Sequence, residues 1–193
     1  IFVAGSIIQW LRDELRILDS SDDSEYMANK VNDTSGCYIV PAFTGLGAPH
    51  WDQYARGTIL GLTRATNKYH IIRAALESIA YQSNDVLRAM EQDVGKKIPA
   101  LKVDGGASNN DFLMQFQADI SELEIIRPKV SESTALGVAF LAGLGVGFWK
   151  DLDELVKIKE VDMTFKSDMH EEKRNKLLNG WNKAISYSKD WAK

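Results

Sequence analysis

Apolar residues recur at helical spacing in three long stretches of the 193-residue chain. Ile8, Leu11, Leu15 and Leu18 predict a helix over residues 7–18, with Ser6 as its N-cap. Ile72, Leu76, Ile79, Ala80, Leu87 and Met90 share one face of a longer helix over about 69–92, on which Arg73 and Glu77 stand one turn apart and can pair for ~0.3 kcal/mol. Leu177, Leu178, Trp181, Ala184, Ile185 and Ser188 form the stripe of a last amphipathic helix that docks on the core. Shorter runs fill the rest. Residues 1–3 read as the end of a buried strand, 24–32 as a short helix, and 37–43 and 58–62 as strands, the first stopped by Pro41 and a glycine-rich loop.

From residue 101 the pattern alternates. Strands at 101–104 and 123–127 are separated by a helix at 110–120 and followed by a helix at 133–144. Strand–helix–strand–helix at this spacing implies parallel strands with crossover helices, hence an α/β sheet. After Gly147 the chain reads as mostly helical and charged. The opening IFVAGSIIQW has no Met and no cap and starts inside a strand, so the expectation is an N-terminally truncated domain.

Composition narrows the class. The net charge is -4, from 23 basic and 27 acidic residues without a block of one sign, which argues against nucleic acid or an anionic membrane surface as partner. Apolar runs are broken before membrane-spanning length, so no membrane insertion is expected. Cys37 is the only cysteine, which excludes an intrachain disulfide and fits a reducing cytoplasm. His50, His70 and His170 lie far apart with no second ligand at metal spacing, and none sits in a Ser/His/Asp arrangement.

Two glycine turns could carry chemistry. In LKVDGGASNNDF (101–112) an apolar strand ends at Asp104, two glycines follow, and amide residues open a helix. A glycine lets a ligand approach the backbone, and a helix N-terminus suits phosphate. The place is also right, at the carboxyl end of a strand. A plain turn braced by Asp104 explains the same residues. Gly5 at a strand-to-helix turn, with Gln9 in the first helical turn off the apolar stripe, is a second candidate, whose alternative is a solvated glutamine. In SESTALGVAFLAGLGVGF (131–148), Gly137, Ala139, Ala142 and Gly143 predict close helix packing, since no phosphate-loop pattern accompanies them.

These motifs together resemble a known family. ARGTILGLTRATNKYHIIRAALESIA (55–80) resembles the second signature of the FGGY carbohydrate kinases, and VDGGASNNDFLMQFQADI (103–120) their adenosine-binding segment. AGSIIQWLRDEL (4–15) and PAFTGLGAPHWDQYARG (41–57) resemble most the members that act on glycerol. The resemblance runs to about residue 150 and fades over the last forty. It implies the second lobe of a two-lobed, actin-like, ribonuclease-H-like kinase, with residues 1–150 as the nucleotide-binding core and 151–193 as a helical extension docked on it. By resemblance Gly5, Gln9, Gly106 and Asn110 contact ATP, with Mg2+ held through the phosphates. Relatives often have Val-Ala where this chain has Ser108 and Asn109, so Asn109 could share the role given to Asn110. The resemblance further implies glycerol as phosphoryl acceptor, a dimer or tetramer, and a catalytic aspartate, glycerol ligands and a Gly-Thr-Gly turn upstream. This chain alone is therefore expected to be inactive. Alternatives are a kinase of another polyol or sugar, or a non-catalytic nucleotide-binding relative.

Overall fold

The computed structural model describes every residue except Ser131 and Lys159. The described residues form two small sheets, seven α-helices and one 3-10 turn, with most of these elements packed on one core. The first helix, α1 (Gly5–Asp13), is shorter than its apolar spacing predicts. Arg16 takes φ 53° and turns the chain, so Leu15 is exposed while Leu18 reaches the core from the loop. Ser6 does not cap α1: the cap position is Ala4, without a side-chain bond. Residues 1–3 are not a strand either; only Val3 is buried, and Ile1 and Phe2 face solvent.

Helix α2 (Asp23–Ala28) is followed by a two-stranded antiparallel sheet, β1 (Tyr38–Val40) with β2 (Thr58–Leu60), in which Ile39 faces Ile59. The central helix α3 (Lys68–Val94) is the best specified element of the chain. The Asn67 side chain accepts from the Tyr69 amide at its start, and Gly95 at φ 68° closes it in the left-handed conformation that glycine adopts without strain. Its apolar face, with Ile72, Leu76 and Tyr81, is buried.

On that face the Arg73–Glu77 pair is not the surface contact its spacing suggests. Glu77 is 3% exposed, its Oε1 lies 2.9 Å from Arg73 Nε, and its Oε2 accepts from Tyr81 at 3.4 Å. Burial pushes the Glu77 carboxyl up to about 7 even though Arg73 opposes the shift. Burial likewise raises the Cys37 thiol to about 11, which leaves it a packing residue.

The second sheet has the order β3 (Ala100–Lys102), β4 (Glu124–Pro128), β5 (Val161–Phe165). β3 and β4 are parallel, with Leu101 beside Ile125, and α4 (Asp111–Ser121) makes the crossover the alternating pattern requires. β5 pairs antiparallel with β4 and was not expected. Four of its five residues are exposed, so it carries no alternation to read, and only its pairing makes it a strand. The stretch after Gly147 is mostly helical as expected, in α6 (Leu152–Lys157) and α7 (Glu171–Ser188), with β5 between them.

Helix α7 lays its stripe on β1 and α4, with Trp181 fully buried and stacked on Tyr81 at 5.1 Å. Asp85 Oδ2 accepts from Trp181 Nε1 at 2.8 Å and lies 3.0 Å from His50 Nε2, which ties the 44–57 loop to α3 and α7. Helix α5 (Ser133–Gly145) departs most from expectation. None of its described residues is buried, and Gly137 has no neighbour within 4 Å of where a Cβ would stand; close packing is seen at Gly143, where a Cβ would stand on the Trp149 ring. Ser131, which opens that stretch of sequence, lies outside the described residues.

Candidate nucleotide site

Three backbone features meet around one cavity of about 570 Å³. The first is the start of α1, which contributes Gly5, Ile8 and Gln9. No side chain caps this helix and no acidic residue stands in its first turn, so the N–H groups of Gly5 and Ser6 and the positive end of its dipole are left for a ligand, the Ile7 amide being taken by the Ala4 carbonyl. The second is the turn after β3, which contributes Gly106, Ala107, Asn109 and Asn110. The third is the α2 region, with Ser21, Asp22, Ser24 and Glu25; Leu76 and Ile79 of α3 and Leu113 of α4 add apolar lining.

The turn after β3 is a single 3-10 turn, Gly106–Asn109. Its conformational demand falls on Gly105, at φ 80° and ψ 173°, a region essentially reserved for glycine. Gly106 has a different use. Neither it nor Gly5 has any protein atom within 4 Å of an added Cβ, so a side chain there would take space beside the backbone that a ligand can otherwise approach. Ser108 braces the turn, with its Oγ donating to the Gly105 carbonyl at 2.7 Å while only 2% exposed. Asp104, the brace expected of a plain turn, makes no side-chain hydrogen bond among the described residues.

Asn110 caps α4: its Oδ1 accepts from the Leu113 amide at 2.8 Å, and its Nδ2 donates to Ser24 Oγ at 3.3 Å. Glu25 Oε2 accepts from the Asp111 amide at 3.0 Å, a second tie between α2 and the start of α4. The four residues singled out from sequence, Gly5, Gln9, Gly106 and Asn110, therefore line one cavity, together with Asn109.

Arg127 is the residue sequence reasoning missed. From the end of β4 its Nη1 donates to the Ser108 carbonyl at 2.8 Å and to Asp111 Oδ1 at 2.7 Å, while its Nε donates to Asp162 at 2.8 Å. Burial works against its charge, but the two carboxylates outweigh it and raise its pKa. One guanidinium thus joins the 3-10 turn, α4 and β5. The only signal in the sequence was an arginine ending an apolar strand, and its partners are set by tertiary contact. Among the described residues no helix is long and apolar enough to cross a membrane, and no three His, Cys, Asp or Glu side chains are grouped to hold a metal.

The fold is the ribonuclease-H-like, actin-like one of the carbohydrate kinases. A family model described as the C-terminal domain of the FGGY family of carbohydrate kinases matches residues 1–146, and the chain belongs to that family. Within it, the chain is 60% identical over 193 residues to the glycerol kinase of Haemophilus influenzae, covering 100% of this chain and 38% of that protein. It is 59% identical over 192 residues to the glycerol kinase of Clostridium perfringens, with the same coverage of 100% and 38%. The crystal structure of Plasmodium falciparum glycerol kinase with ADP matches with a TM-score of 0.87 at 38% identity, over 95% of this chain and 37% of that one. The gluconate kinase of Lactobacillus acidophilus matches with a TM-score of 0.77 at 27% identity, over 95% of this chain and 38% of that one. The chain spans less than two-fifths of the length of these relatives.

Proposed function

We propose that this chain is the nucleotide-binding lobe of an ATP-dependent glycerol kinase, which moves the γ-phosphoryl group of ATP to glycerol and yields sn-glycerol 3-phosphate in the cytoplasm. The observation that carries the reading is the convergence of Gly5, Gln9, Gly106 and Asn110, distant in sequence, on one cavity. Glycerol as acceptor is supported by the 60% identity to a glycerol kinase. In this reading residues 1–150 are the core of the lobe and 151–193 an extension docked on it through β5 and α7.

Phosphoryl transfer makes small covalent demands on the protein and large ones on positioning and charge. Bound ATP supplies the phosphoryl group, and Mg2+ is held through its phosphates. This chain's contribution is to hold and orient the nucleotide. The uncapped first turn of α1 and the backbone at Gly106 face the phosphates, Gln9 offers an amide, and the apolar lining from Leu76, Ile79 and Leu113 excludes water from one side of the ligand. The acceptor site and the base belong to the further length that relatives possess.

The test is ADP release with glycerol and with a panel of other polyols and sugars. It is measured on a polypeptide of the relatives' full length containing this chain, and on the 193-residue chain alone. Glycerol-dependent turnover in the first and none in the second is expected. Turnover only with another acceptor overturns glycerol, turnover by the chain alone overturns the division of labour, and none in either overturns the kinase reading.

A further inference from the structure

Strand β5 reaches the wall of the cavity through one side chain. Arg127 stands near the end of β4 with its side chain 10% exposed. β5 holds it from one side: Asp162 Oδ2 accepts from Nε at 2.8 Å, and the Phe165 ring centroid lies 5.3 Å from Cζ. On the other side Nη1 donates to the Ser108 carbonyl at 2.8 Å and to Asp111 Oδ1 at 2.7 Å. The Ser108 carbonyl accepts no backbone hydrogen bond among the described residues, so Arg127 is its donor. Ser108 belongs to the Gly106–Asn109 turn, whose other residues line the cavity.

A guanidinium is planar, and its Nε–H and Nη–H groups keep fixed angles to one another. Pinning Nε to Asp162 therefore sets the direction from which Nη1 meets the Ser108 carbonyl. Without that carboxylate one edge of an enclosed cation has no partner, and the fork turns to recover one. The turn then loses its fixed anchor.

A second ion pair supplies the contrast. Lys129 Nζ and Glu160 Oε2 stand 2.7 Å apart and join the same two segments, just past the end of β4 and just before β5. Both are exposed, and among the described residues neither side chain bonds to the Gly106–Asn109 turn.

We propose that Arg127 is a positioning residue for the nucleotide and that β5, through Asp162, sets its grip on the turn, so that the 151–193 extension takes part in nucleotide binding; this rests on the nucleotide reading above.

The experiment is titration calorimetry of ADP on the full-length polypeptide of the turnover assay. The proteins are wild type, Asp162→Ala, Glu160→Ala, Arg127→Gln, and Arg127→Gln combined with Asp162→Ala. Asp162→Ala is expected to weaken ADP binding by roughly three- to tenfold and Glu160→Ala to leave it unchanged. In the Arg127→Gln background the further effect of Asp162→Ala is expected to vanish. Should Arg127→Gln not fold, the comparison of Asp162→Ala with Glu160→Ala decides alone. An affinity untouched by Asp162→Ala, equally reduced by Glu160→Ala, or reduced as much with Arg127→Gln as without it overturns the proposal while the nucleotide site stands. Failure of wild type to bind ADP overturns both.

Discussion

Gly180 gives a sharp test of how the last helix is seated. It lies in the interior of α7, where alanine in place of glycine normally stabilises a helix by about 1 kcal/mol. Here a Cβ would stand on the phenol of Tyr38, against its Oη, Cζ and Cε2. Tyr38 cannot swing aside freely. Its hydroxyl donates to the Leu177 carbonyl at 3.2 Å, and its ring packs on Tyr81, 6.0 Å away, which itself stacks on Trp181. Overpacking a well-filled contact costs about 1–3 kcal/mol, which exceeds the propensity gain. Gly180→Ala is therefore expected to destabilise the chain by roughly 1 kcal/mol net. In a Tyr38→Ala background the obstacle is gone and the same substitution should stabilise by up to about 1 kcal/mol. Urea unfolding followed by far-ultraviolet circular dichroism on the four proteins of this cycle reads both signs. A stabilising Gly180→Ala in the wild-type background, or no reversal in the Tyr38→Ala one, would refute the seating of α7 on β1.

Other outcomes follow from the same contacts. Because burial raises the Glu77 carboxyl from 4.5 to about 7, the native state binds more protons than the unfolded one between those values. Stability from this group is then full below pH 4.5 and lost as pH rises to about 7, by at most about 3 kcal/mol. Urea midpoints across that window should fall more steeply for wild type than for Glu77→Gln, and parallel curves would contradict the buried placement. Arg127→Lys puts one ammonium where a guanidinium serves the Ser108 carbonyl, Asp111 and Asp162. It should cost about 1–2 kcal/mol in urea unfolding and weaken ADP binding, and an unchanged affinity would remove Arg127 from the support of the turn. Helix α5 leaves Val138 and Leu141 exposed, beside Val146 and Phe148 just after it, so the chain should bind a hydrophobic dye. Leu141→Asp should lower the dye fluorescence while moving stability by less than about 0.5 kcal/mol, as at other exposed positions.

The sequence by itself determined what depends on near neighbours. The apolar stripe of α3, its Asn67 start and Gly95 stop, and the strand–turn–helix around Gly105 and Gly106 are written in residues a few positions apart, because helix spacing, capping and turn chemistry act at that range. Family membership was legible for a related reason: four ordered segments carried it, each readable locally. The tertiary structure decided what depends on distant partners. It ended α1 at Asp13, where its continuing apolar spacing gives no stop, and it made a strand of residues 161–165 by pairing them with β4. It left α5 with none of its described residues buried, and of the small residues that suggested packing it brought Gly143 against the Trp149 ring. It buried Glu77, whose i+4 spacing from Arg73 looks the same on a solvated face. The site shows the division most clearly. Glycines and amides marked two candidate turns, but their meeting in one cavity, the commitment of Asn110 to a helix cap and the clamp of Arg127 arise from contacts across many residues. Propensity is a property of a segment, whereas burial and hydrogen-bond partners belong to the space between segments and exist only once the chain has closed on itself.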